Sequence, residues 1–138
     1  FIDFAHTPDA LEAVCSELKK KNHKGLKLVF GAGGDRDQGK RELMGNVAQK
    51  YAKKVYITSD NPRFEKPEEI IEMIVAGISD KDKVIIEPDR AEAISMAISE
   101  LNKDEILLIT GKGHEEYQII GNEKKPFSDY EEILKCIK

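Results

Sequence analysis

Short runs of apolar residues alternate with segments of helical periodicity from one end of the 138-residue chain to the other. The apolar runs are candidates for strands, because a strand that is buried on both faces of a sheet reads as a nearly continuous hydrophobic stretch. Five such runs occur, at Phe1–Phe4, Leu26–Phe30, Lys54–Thr58, Val84–Ile86 and Glu105–Thr110.

The segments between these runs carry apolar residues at spacings of three and four, which predicts helices. The first helix opens at Thr7, which is suited to be an N-cap, followed by Pro8 in the first turn, and it closes within Asn22–Gly25. Further helices are predicted at Lys40–Ala52, at Glu68–Ala76 after Pro67, from the cap Asp89 to about Leu101, and from the cap Ser128-Asp129 to the C-terminus.

The order of these elements predicts an α/β fold. Strands that alternate with helices favour a mostly parallel sheet with helices on both faces, which gives a Rossmann-like domain of three layers. After this alternation, Tyr117–Ile120, Gly121–Lys124 and Lys125–Phe127 predict the first arm, the turn and the second arm of a C-terminal β-hairpin. One domain over residues 1–138 is expected at this length, and its abrupt start in a strand suggests a part of a longer protein.

Composition argues against several classes of partner. Charged residues make up 35% of the chain and the formal net charge is −4, so neither nucleic acid nor an anionic membrane is an expected partner. No apolar run approaches the roughly 18 residues that a membrane span needs, and no signal peptide is recognised, so a cytoplasmic location is expected. Cys15 and Cys136 lie far apart on predicted helices, and we expect two buried thiols rather than a metal or redox pair.

Clusters of polar residues follow the predicted strands. In open parallel sheets, ligands bind at the carboxyl ends of the strands. The clusters at the five strand ends are His6, Gly31–Asp37, Ser59–Arg63, Glu87–Arg90 and Gly111–Glu115. Because all of them lie at the same edge of the predicted sheet, we expect a binding site there for a charged small molecule.

The glycine-rich segment Gly31–Asp37 allows three interpretations. A dinucleotide fingerprint would need glycine at position 36, where Arg36 stands, and a P-loop would need Ser or Thr where Arg41 follows Lys40. A nicotinamide cofactor and a plain strand-to-helix turn are nevertheless both alternatives. The third interpretation is a carboxylate site, because the planar guanidinium of Arg36 can bind a carboxylate through two parallel hydrogen bonds.

The segment Asp60-Asn61-Pro62-Arg63 combines opposite charges in one loop. Pro62 disfavours helical geometry at the residue before it, so the loop is expected to be extended. Asp60 suits an ammonium group, Arg63 suits a carboxylate, and Asn61 suits either, which together describe a zwitterionic ligand. An Asn-Pro turn with a surface arginine is the alternative.

The remaining candidates lie at the two ends of the predicted site. Gly111–Glu115 offers backbone groups to a ligand, and the carboxylate of Glu115 suits an ammonium group. His114 lacks the H-E-x-x-H context of a zinc ligand, so it is expected to be structural and no metal site is predicted. Asp3 and His6 are candidates for contact with a ribose or a base, with a turn or capping role as the alternative. No nucleophile and no acid–base pair is recognised, so no catalytic residue is predicted.

Taken in order, these blocks resemble those of one family. The opening DFAHTPDAL at 3–11 is similar to the DYAHTPDAL that opens the C-terminal domain of the UDP-N-acetylmuramoyl-tripeptide synthetases, which are Mur ligases. Further blocks match at GGDRD (33–37), GKR with LMG (39–45), SDNPR (59–63), EPDRA (87–91) and GKGHE (111–115). The resemblance covers essentially the whole chain. Phe4 stands where tyrosine is usual and Gln38 where lysine is common, and neither departure removes a matched ligand contact.

The resemblance implies an ATP-dependent amide ligase with three domains, of which this chain is the C-terminal one. In such ligases ATP phosphorylates the terminal carboxylate of a UDP-MurNAc-dipeptide, and the amine of an amino acid then displaces the phosphate. The N-terminal UDP-binding domain and the central ATPase domain, which carries the P-loop and the Mg²⁺ ligands, are not in this chain. The isolated chain is therefore expected to bind ligands without catalysing the reaction.

The resemblance also implies roles for individual residues. Contacts with meso-diaminopimelate fall on Arg36, Asp60, Asn61, Pro62, Arg63, Gly111 and Glu115, and contacts with ATP fall on Asp3 and His6. The sequence Asp-Asn-Pro-Arg goes with the diaminopimelate-adding members, and lysine-adding relatives depart from it. Arg63 offers the additional carboxylate of diaminopimelate a bidentate partner. The alternatives are a lysine-adding ligase of the same type and a Rossmann-type nucleotide-binding module.

Overall fold

Five parallel strands form the central sheet in the computed structural model, which describes residues 1–21 and 23–137. The strands are β1 (Ile2–Asp3), β2 (Gly25–Phe30), β3 (Lys54–Ile57), β4 (Val84–Ile86) and β5 (Glu105–Thr110). Their order across the sheet is β1-β5-β2-β3-β4, and every neighbouring pair is parallel. The predicted α/β fold with a mostly parallel sheet is confirmed.

The connections between the strands are helical. The helices are α1 (Pro8–Lys19), α2 (Gly39–Tyr51), α3 (Pro67–Val75), α4 (Arg90–Ser99) and α5 (Asp129–Ile137), and a short 3-10 turn spans Lys81–Lys83. The predicted N-caps Thr7 and Asp89 are confirmed, since their side-chain oxygens accept hydrogen bonds from backbone N–H groups of the first turn. Asn22, part of the predicted end of the first helix, lies outside the described residues.

Two apolar layers cover the sheet, one on each face, so the three-layer architecture is confirmed. Side chains of β2 alternate between them: Leu28 and Phe30 pack with residues of α1, α2 and α3, whereas Val29 packs with residues of α4. The neighbouring strand β5 repeats this alternation with Leu108 and Ile109. Successive side chains of a strand point to opposite faces, so one strand contributes to both layers.

The predicted C-terminal hairpin is present, although its second arm begins earlier than predicted. It consists of β6 (Tyr117–Ile120) and β7 (Glu123–Pro126), which pair antiparallel. The prediction placed a four-residue turn at 121–124 and the second arm at 125–127. That placement is wrong because Gly121 adopts a left-handed conformation (φ +62°), which allows the chain to reverse within two residues.

The predicted cap of the final helix is only half correct. Ser128 does cap α5, because its Oγ accepts a hydrogen bond from the backbone N–H of Glu131 at 3.2 Å. Asp129 is no cap: it is fully buried, and its two carboxylate oxygens accept hydrogen bonds from Nε and Nη2 of Arg90, both at 2.8 Å. The local sequence favoured a capping role, but a buried guanidinium 39 positions earlier takes this carboxylate instead.

The two cysteines differ in burial. Cys15 is buried as predicted, and burial raises the pKa of its thiol to about 12. The prediction of a second buried thiol is wrong, because Cys136 on α5 is only half-buried. Within residues 1–21 and 23–137, no helix is both long and apolar enough to cross a membrane.

Candidate functional site

A cavity of about 410 Å³ opens at the carboxyl edge of the sheet. It lies where the segments after β1, β2, β3 and β5 meet, and the order of the strands explains its position. The segment after β2 leads into α2 on one face of the sheet, whereas the segment after β5 leads towards α5 on the other. Where the connections of neighbouring parallel strands diverge in this way, the backbone leaves a crevice.

Most of the residues predicted to form the site lie around this cavity. Those that line it are His6, Arg36, Asp60, Asn61, Arg63, Gly111 and Glu115. Asp3 and Pro62 do not line it. Asp3 accepts a hydrogen bond from the backbone N–H of Ala5 at 2.7 Å, which is the turn-stabilising alternative considered for it.

One predicted cluster, Glu87–Arg90, is not part of the cavity. It follows β4, which is the edge strand furthest from β5 in the sheet. Arg90 is buried against Asp129; its Nη1 donates to the backbone oxygen of Ser59 at 3.0 Å, and its Nη2, which also bonds Asp129, donates to the backbone oxygen of Thr110 at 3.1 Å. Arg90 therefore holds together the carboxyl ends of β3 and β5 from beneath the site.

The segment Asp60–Arg63 is held in place by the C-terminal hairpin. Gln118 donates its side-chain N–H to the backbone oxygen of Asp60 at 2.9 Å, and the backbone N–H of Ile119 donates to Oδ1 of Asn61 at 3.0 Å. Asp60 and Asn61 are only 5% and 8% exposed, although both line the cavity. The hairpin fixes their orientation before any ligand arrives.

Arg63 occupies the left-handed region of backbone conformation, with φ +53°. This conformation costs a residue with a side chain about 1–2 kcal/mol. Backbone hydrogen bonds to the C-terminal hairpin hold it there, from Arg63 N–H to Ile119 O at 3.0 Å and from Gly121 N–H to Arg63 O at 2.6 Å. Its Nη1 donates to the backbone oxygen of Gly34 at 2.9 Å, which directs the guanidinium across the cavity towards the segment after β2.

The segments after β2 and β3 contact each other through their backbones. The backbone N–H of Gly34 donates to the oxygen of Asn61 at 2.7 Å. A Cβ atom at position 34 would lie 1.8 Å from the backbone oxygen of Pro62, so only glycine allows this approach. Pro62 thus contributes to the site as a backbone support rather than as a ligand-facing side chain.

An ion pair between Arg41, which also lines the cavity, and the half-buried Glu65 joins α2 to the segment after β3. Arg41, 1% exposed, donates from Nη1 and Nη2 to the two carboxylate oxygens of Glu65 at 2.8 and 2.7 Å, and Nη2 also donates to the backbone oxygen of Gly33 at 3.0 Å. The hydrogen bonds from Arg41 lower the pKa of the Glu65 carboxyl. Sequence reasoning missed this pair, because the two residues are 24 positions apart and neither belongs to a motif of the other.

The most informative residue that sequence reasoning missed is Lys112. The local sequence places it in a glycine-flanked loop, but its side chain is fully buried and does not line the cavity. Its Nζ donates to Oδ1 of Asn61 at 2.8 Å, to Oδ1 of Asp60 at 3.2 Å and to Oε1 of Glu115 at 3.3 Å. The ammonium group thereby connects the segment after β3 with the segment after β5.

Phe4 and His6 form an aromatic pair at the edge of the cavity. Their ring centroids are 5.1 Å apart in an edge-to-face arrangement, and Phe4 is 51% exposed. The Nδ1 atom of His6 lies 3.0 Å from the backbone oxygen of Phe4, which fixes the imidazole next to the phenyl ring. Exposed aromatic faces of this kind suit a flat apolar ligand such as a nucleobase.

The cavity presents charges of both signs and no recognisable metal site. Arg36, Lys40 and Arg63 contribute positive charge to the lining, and Asp60 and Glu115 contribute negative charge. This combination suits a ligand that carries both carboxylate and ammonium groups. In the part of the chain that the structure describes, no group of three His, Cys, Asp or Glu side chains is arranged to hold a metal ion.

Comparison with protein families gives a match over most of the chain. The family described as "Mur ligase, glutamate ligase domain" matches residues 1–113. This range contains the whole cavity lining except Glu115, while β6, β7 and α5 lie beyond it.

Curated relatives match over the full length of the chain. A protein named UDP-N-acetylmuramoyl-L-alanyl-D-glutamate–2,6-diaminopimelate ligase from Aquifex aeolicus is 54% identical over 136 residues, which cover 99% of this chain. The protein of the same name from Rickettsia rickettsii is 52% identical over 140 residues, which cover 100% of this chain. The chain spans only 28% and 29% of the length of these two relatives.

Solved structures agree with the fold. A structure of a ligase with the same name superposes with a TM-score of 0.92 at 43% identity, covering 99% of this chain and 28% of that one. A folylpolyglutamate synthase from Thermotoga maritima superposes with a TM-score of 0.57 at 23% identity, covering 78% of this chain and 23% of that one. The second likeness is one of fold alone.

Proposed function

The chain belongs to the Mur ligase family, and we propose that it is the amino-acid-binding domain of a ligase that adds meso-diaminopimelate to UDP-MurNAc-L-Ala-D-Glu in peptidoglycan synthesis. The observation that carries the proposal is the gathering of acidic and basic side chains around one cavity, on a chain about half identical to ligases of that name. The chain accounts for less than a third of those relatives, so we propose that it binds ligands and that catalysis needs further domains.

The charges of the cavity match the groups of the proposed amino acid. Meso-diaminopimelate carries two carboxylates and two ammonium groups, one carboxylate more than lysine. Arg36 and Arg63 are the proposed carboxylate partners, and Asp60 and Glu115 are the proposed ammonium partners. Arg63 is the residue that discriminates against lysine in this proposal, because a lysine ligand would leave its guanidinium without a carboxylate.

The aromatic edge of the cavity is the proposed contact with ATP. Phe4 and His6 would face the base or the ribose, and Asp3 would support the turn that carries them. ATP supplies the phosphoryl group that activates the carboxylate of the acceptor peptide. The Mg²⁺ ligands and most of the UDP-nucleotide site are proposed to lie in other domains, and the protein is proposed to act in the cytoplasm.

The amino-acid assignment is tested by replacing Arg63 with alanine in the full-length ligase. The loss of a charge-assisted hydrogen bond of about 1.5–3 kcal/mol is expected to raise the KM for meso-diaminopimelate about 10- to 100-fold. The preference for diaminopimelate over lysine, measured as the ratio of kcat/KM values, is expected to fall by a similar factor. An Arg63→Lys variant keeps the charge without the planar fork and is expected to give an intermediate KM.

Unchanged kinetics with both amino acids in the Arg63→Ala enzyme would contradict this assignment. A wild-type enzyme that prefers lysine would favour the lysine-adding alternative. The Rossmann-type alternative is tested by calorimetric titration of the chain with NAD(H) and with meso-diaminopimelate. Tight binding of the nicotinamide cofactor alone would replace the proposed function.

A further inference from the structure

Lys112 is a buried ammonium group to which the proposed function assigns no contact with any ligand. A lysine has three N–H donors and no acceptor. The three side-chain oxygens within 3.3 Å of its Nζ, from Asp60, Asn61 and Glu115, therefore match its full hydrogen-bonding capacity. The aromatic ring of Tyr117 lies 5.9 Å away and closes a further side. Such saturation holds the ammonium group in a fixed position.

Lys112 acts through its partners rather than on a ligand. Asp60, Asn61 and Glu115 all line the cavity, whereas Lys112 does not. Its side chain is 0% exposed, so a ligand in the cavity meets the partners and not the ammonium group. Lys112 therefore acts on binding without contact, through the orientation of these three side chains and through its charge.

The orientation of Asn61 follows from its two donors. Its Oδ1 accepts a hydrogen bond from Nζ of Lys112 at 2.8 Å and another from the backbone N–H of Ile119 at 3.0 Å. Both groups can only donate, so both require the oxygen of the amide and not its nitrogen. The NH₂ group of Asn61 is consequently the end that is left for a ligand, and it is a donor suited to a carboxylate.

The two carboxylates are each engaged through one oxygen. Lys112 holds Oδ1 of Asp60 and Oε1 of Glu115, and the other oxygen of each carboxylate is not bonded to it. The positive charge of Lys112 also offsets one of the two negative charges. Together with Lys112, these three side chains carry a net charge of −1. The free oxygens of Asp60 and Glu115 can accept hydrogen bonds from an ammonium group, and the NH₂ group of Asn61 can donate to a carboxylate next to it.

We infer that Lys112 is a positioning residue that sets the polarity of the amino-acid subsite. It fixes Asn61 as a donor and aligns Asp60 and Glu115 as acceptors, so that an α-amino-acid end of the ligand is recognised in one orientation. This inference rests on the proposed function, because it takes the cavity to be the amino-acid site. It adds a residue that selects the ligand without touching it.

The test is steady-state kinetics of a Lys112→Met variant of the full-length ligase. Methionine keeps a long apolar side chain of similar volume and removes the ammonium group. We expect the KM for meso-diaminopimelate to rise at least tenfold, because the alignment of three ligand-facing groups is lost. The KM values for ATP and for the UDP-MurNAc-dipeptide are expected to stay within twofold of wild type, since those ligands use other contacts.

A matched control is Lys27→Met. Lys27 is a second buried lysine, 6% exposed, whose Nζ contacts Oε1 of Glu105 at 3.2 Å and the backbone oxygen of Glu100. It lies on β2 towards the amino edge of the sheet, away from the cavity. Its replacement removes the same charge from an equally buried place, so it shows what destabilisation alone does to the three KM values.

A second variant keeps the test decisive if Lys112→Met does not fold. Lys112→Gln retains two N–H donors without the charge, one bond closer to the backbone, and a smaller but still selective rise in the KM for diaminopimelate is expected. The inference is overturned if the folded Lys112 variants bind diaminopimelate within twofold of wild type. It is equally overturned if the Lys112 variants change all three KM values together, in the same pattern as the Lys27→Met control, because the effect is then one of destabilisation.

The outcome for the inference is distinct from the outcome for the proposed function. A wild-type ligase that does not use meso-diaminopimelate disproves the proposed function, whatever Lys112 does. A wild-type ligase that uses it with an unaffected Lys112→Met variant disproves only the role of Lys112. The wild-type assay is therefore run first, and the variants are compared with it under the same conditions.

Discussion

The two walls of the cavity are built in opposite ways. One, the pinned wall, consists of Asp60–Arg63 and Gly111–Glu115. Lys112 within it bonds the side chains of Asp60, Asn61 and Glu115, and the C-terminal hairpin bonds the segment at Asp60 and Asn61. The other, the open wall, consists of residues 36–40 before and at the start of α2, and all of its side chains are exposed. Arg36, for example, donates to the neighbouring backbone oxygen of Asp35, at 3.1 Å.

This difference separates two tasks that a binding site must perform. Groups that are held in place before binding lose little freedom when a ligand arrives, so they discriminate between ligands at low entropic cost. Exposed side chains lose more freedom on binding but can adjust to a ligand that enters from solvent. We therefore expect the pinned wall to provide selectivity and the open wall to provide adjustable affinity.

The largest effect is expected where the two walls meet, at Gly34. A Gly34→Ala substitution places a Cβ atom 1.8 Å from the backbone oxygen of Pro62, and no flexible side chain can give way there. We expect the free energy of unfolding of the chain to fall by about 3 kcal/mol, as for strongly overpacked sites. The measurement is urea denaturation followed by circular dichroism.

Gly39 provides the matched control for this prediction. It starts α2, and a Cβ atom there would meet only the side-chain Oδ1 of Asp37, at 3.3 Å. Alanine favours helices over glycine by up to about 1 kcal/mol, so Gly39→Ala is expected to leave stability unchanged or slightly higher. Equal losses at both glycines would show that the walls do not depend on the contact between Gly34 and Pro62.

An intermediate effect that depends on pH is expected for Glu65, which joins the walls through Arg41. Hydrogen bonds from Arg41 lower the folded-state pKa of Glu65 below the ordinary value of 4.5. A lowered pKa stabilises the fold above the unfolded-state value, and this stabilisation is lost as the pH falls through the folded-state value. We expect Glu65→Gln to cost about 1–2 kcal/mol at pH 7, the scale of a hydrogen bond to a charged group.

The pH dependence distinguishes this ion pair from a simple packing contact. Urea denaturation of wild type and Glu65→Gln at pH 7, 5, 4 and 3 should give a difference in unfolding free energy that is constant down to about pH 5. Below pH 4.5 the difference should shrink, because the Glu65 carboxyl of the unfolded chain takes up a proton before that of the folded chain does. A difference that persists at pH 3 would show that the charge of Glu65 does not join the walls.

The smallest effect on stability is expected for the open wall. Arg36→Ala removes an exposed side chain and should change the free energy of unfolding by less than about 0.5 kcal/mol. On the pinned wall, Asn61→Ala removes the two hydrogen bonds that Oδ1 accepts, and the free energy of unfolding should fall by about 2 kcal/mol. In the full-length ligase, Arg36→Ala is still expected to raise the KM for the amino acid about tenfold. Equal stability losses for the two variants would remove the distinction between the walls.

The sequence predicted those features that depend on neighbouring residues. Apolar runs such as Leu26–Phe30 located the strands, and capping residues such as Thr7 and Asp89 located the starts of helices. The position of the site followed from a general property of parallel sheets, because the loops after successive strands share one edge. His6, Gly111 and the other predicted residues that line the cavity could be placed there without knowledge of any contact.

Features that depend on distant partners could not be predicted in this way. The pairs of Arg41 with Glu65 and of Arg90 with Asp129 join residues 24 and 39 positions apart, and each looks locally like a surface charge or a helix cap. The role of Lys112 could not be predicted for the same reason, since its acceptors Asp60 and Asn61 precede it by 52 and 51 residues. The sequence indicates which residues are polar, but only the folded chain shows which of them are saturated.

The crevice between β2 and β5 results from the order of the strands and not from the side chains around it. The exposed part of its lining therefore forms a layer that natural selection can change while the backbone beneath stays the same. Replacements among the exposed residues 36–40 would leave the frame intact, whereas a change at Gly34 or Arg90 would disrupt the frame itself. Such a division favours evolvability, because variants of one fold can differ in the ligands they bind while each of them remains folded.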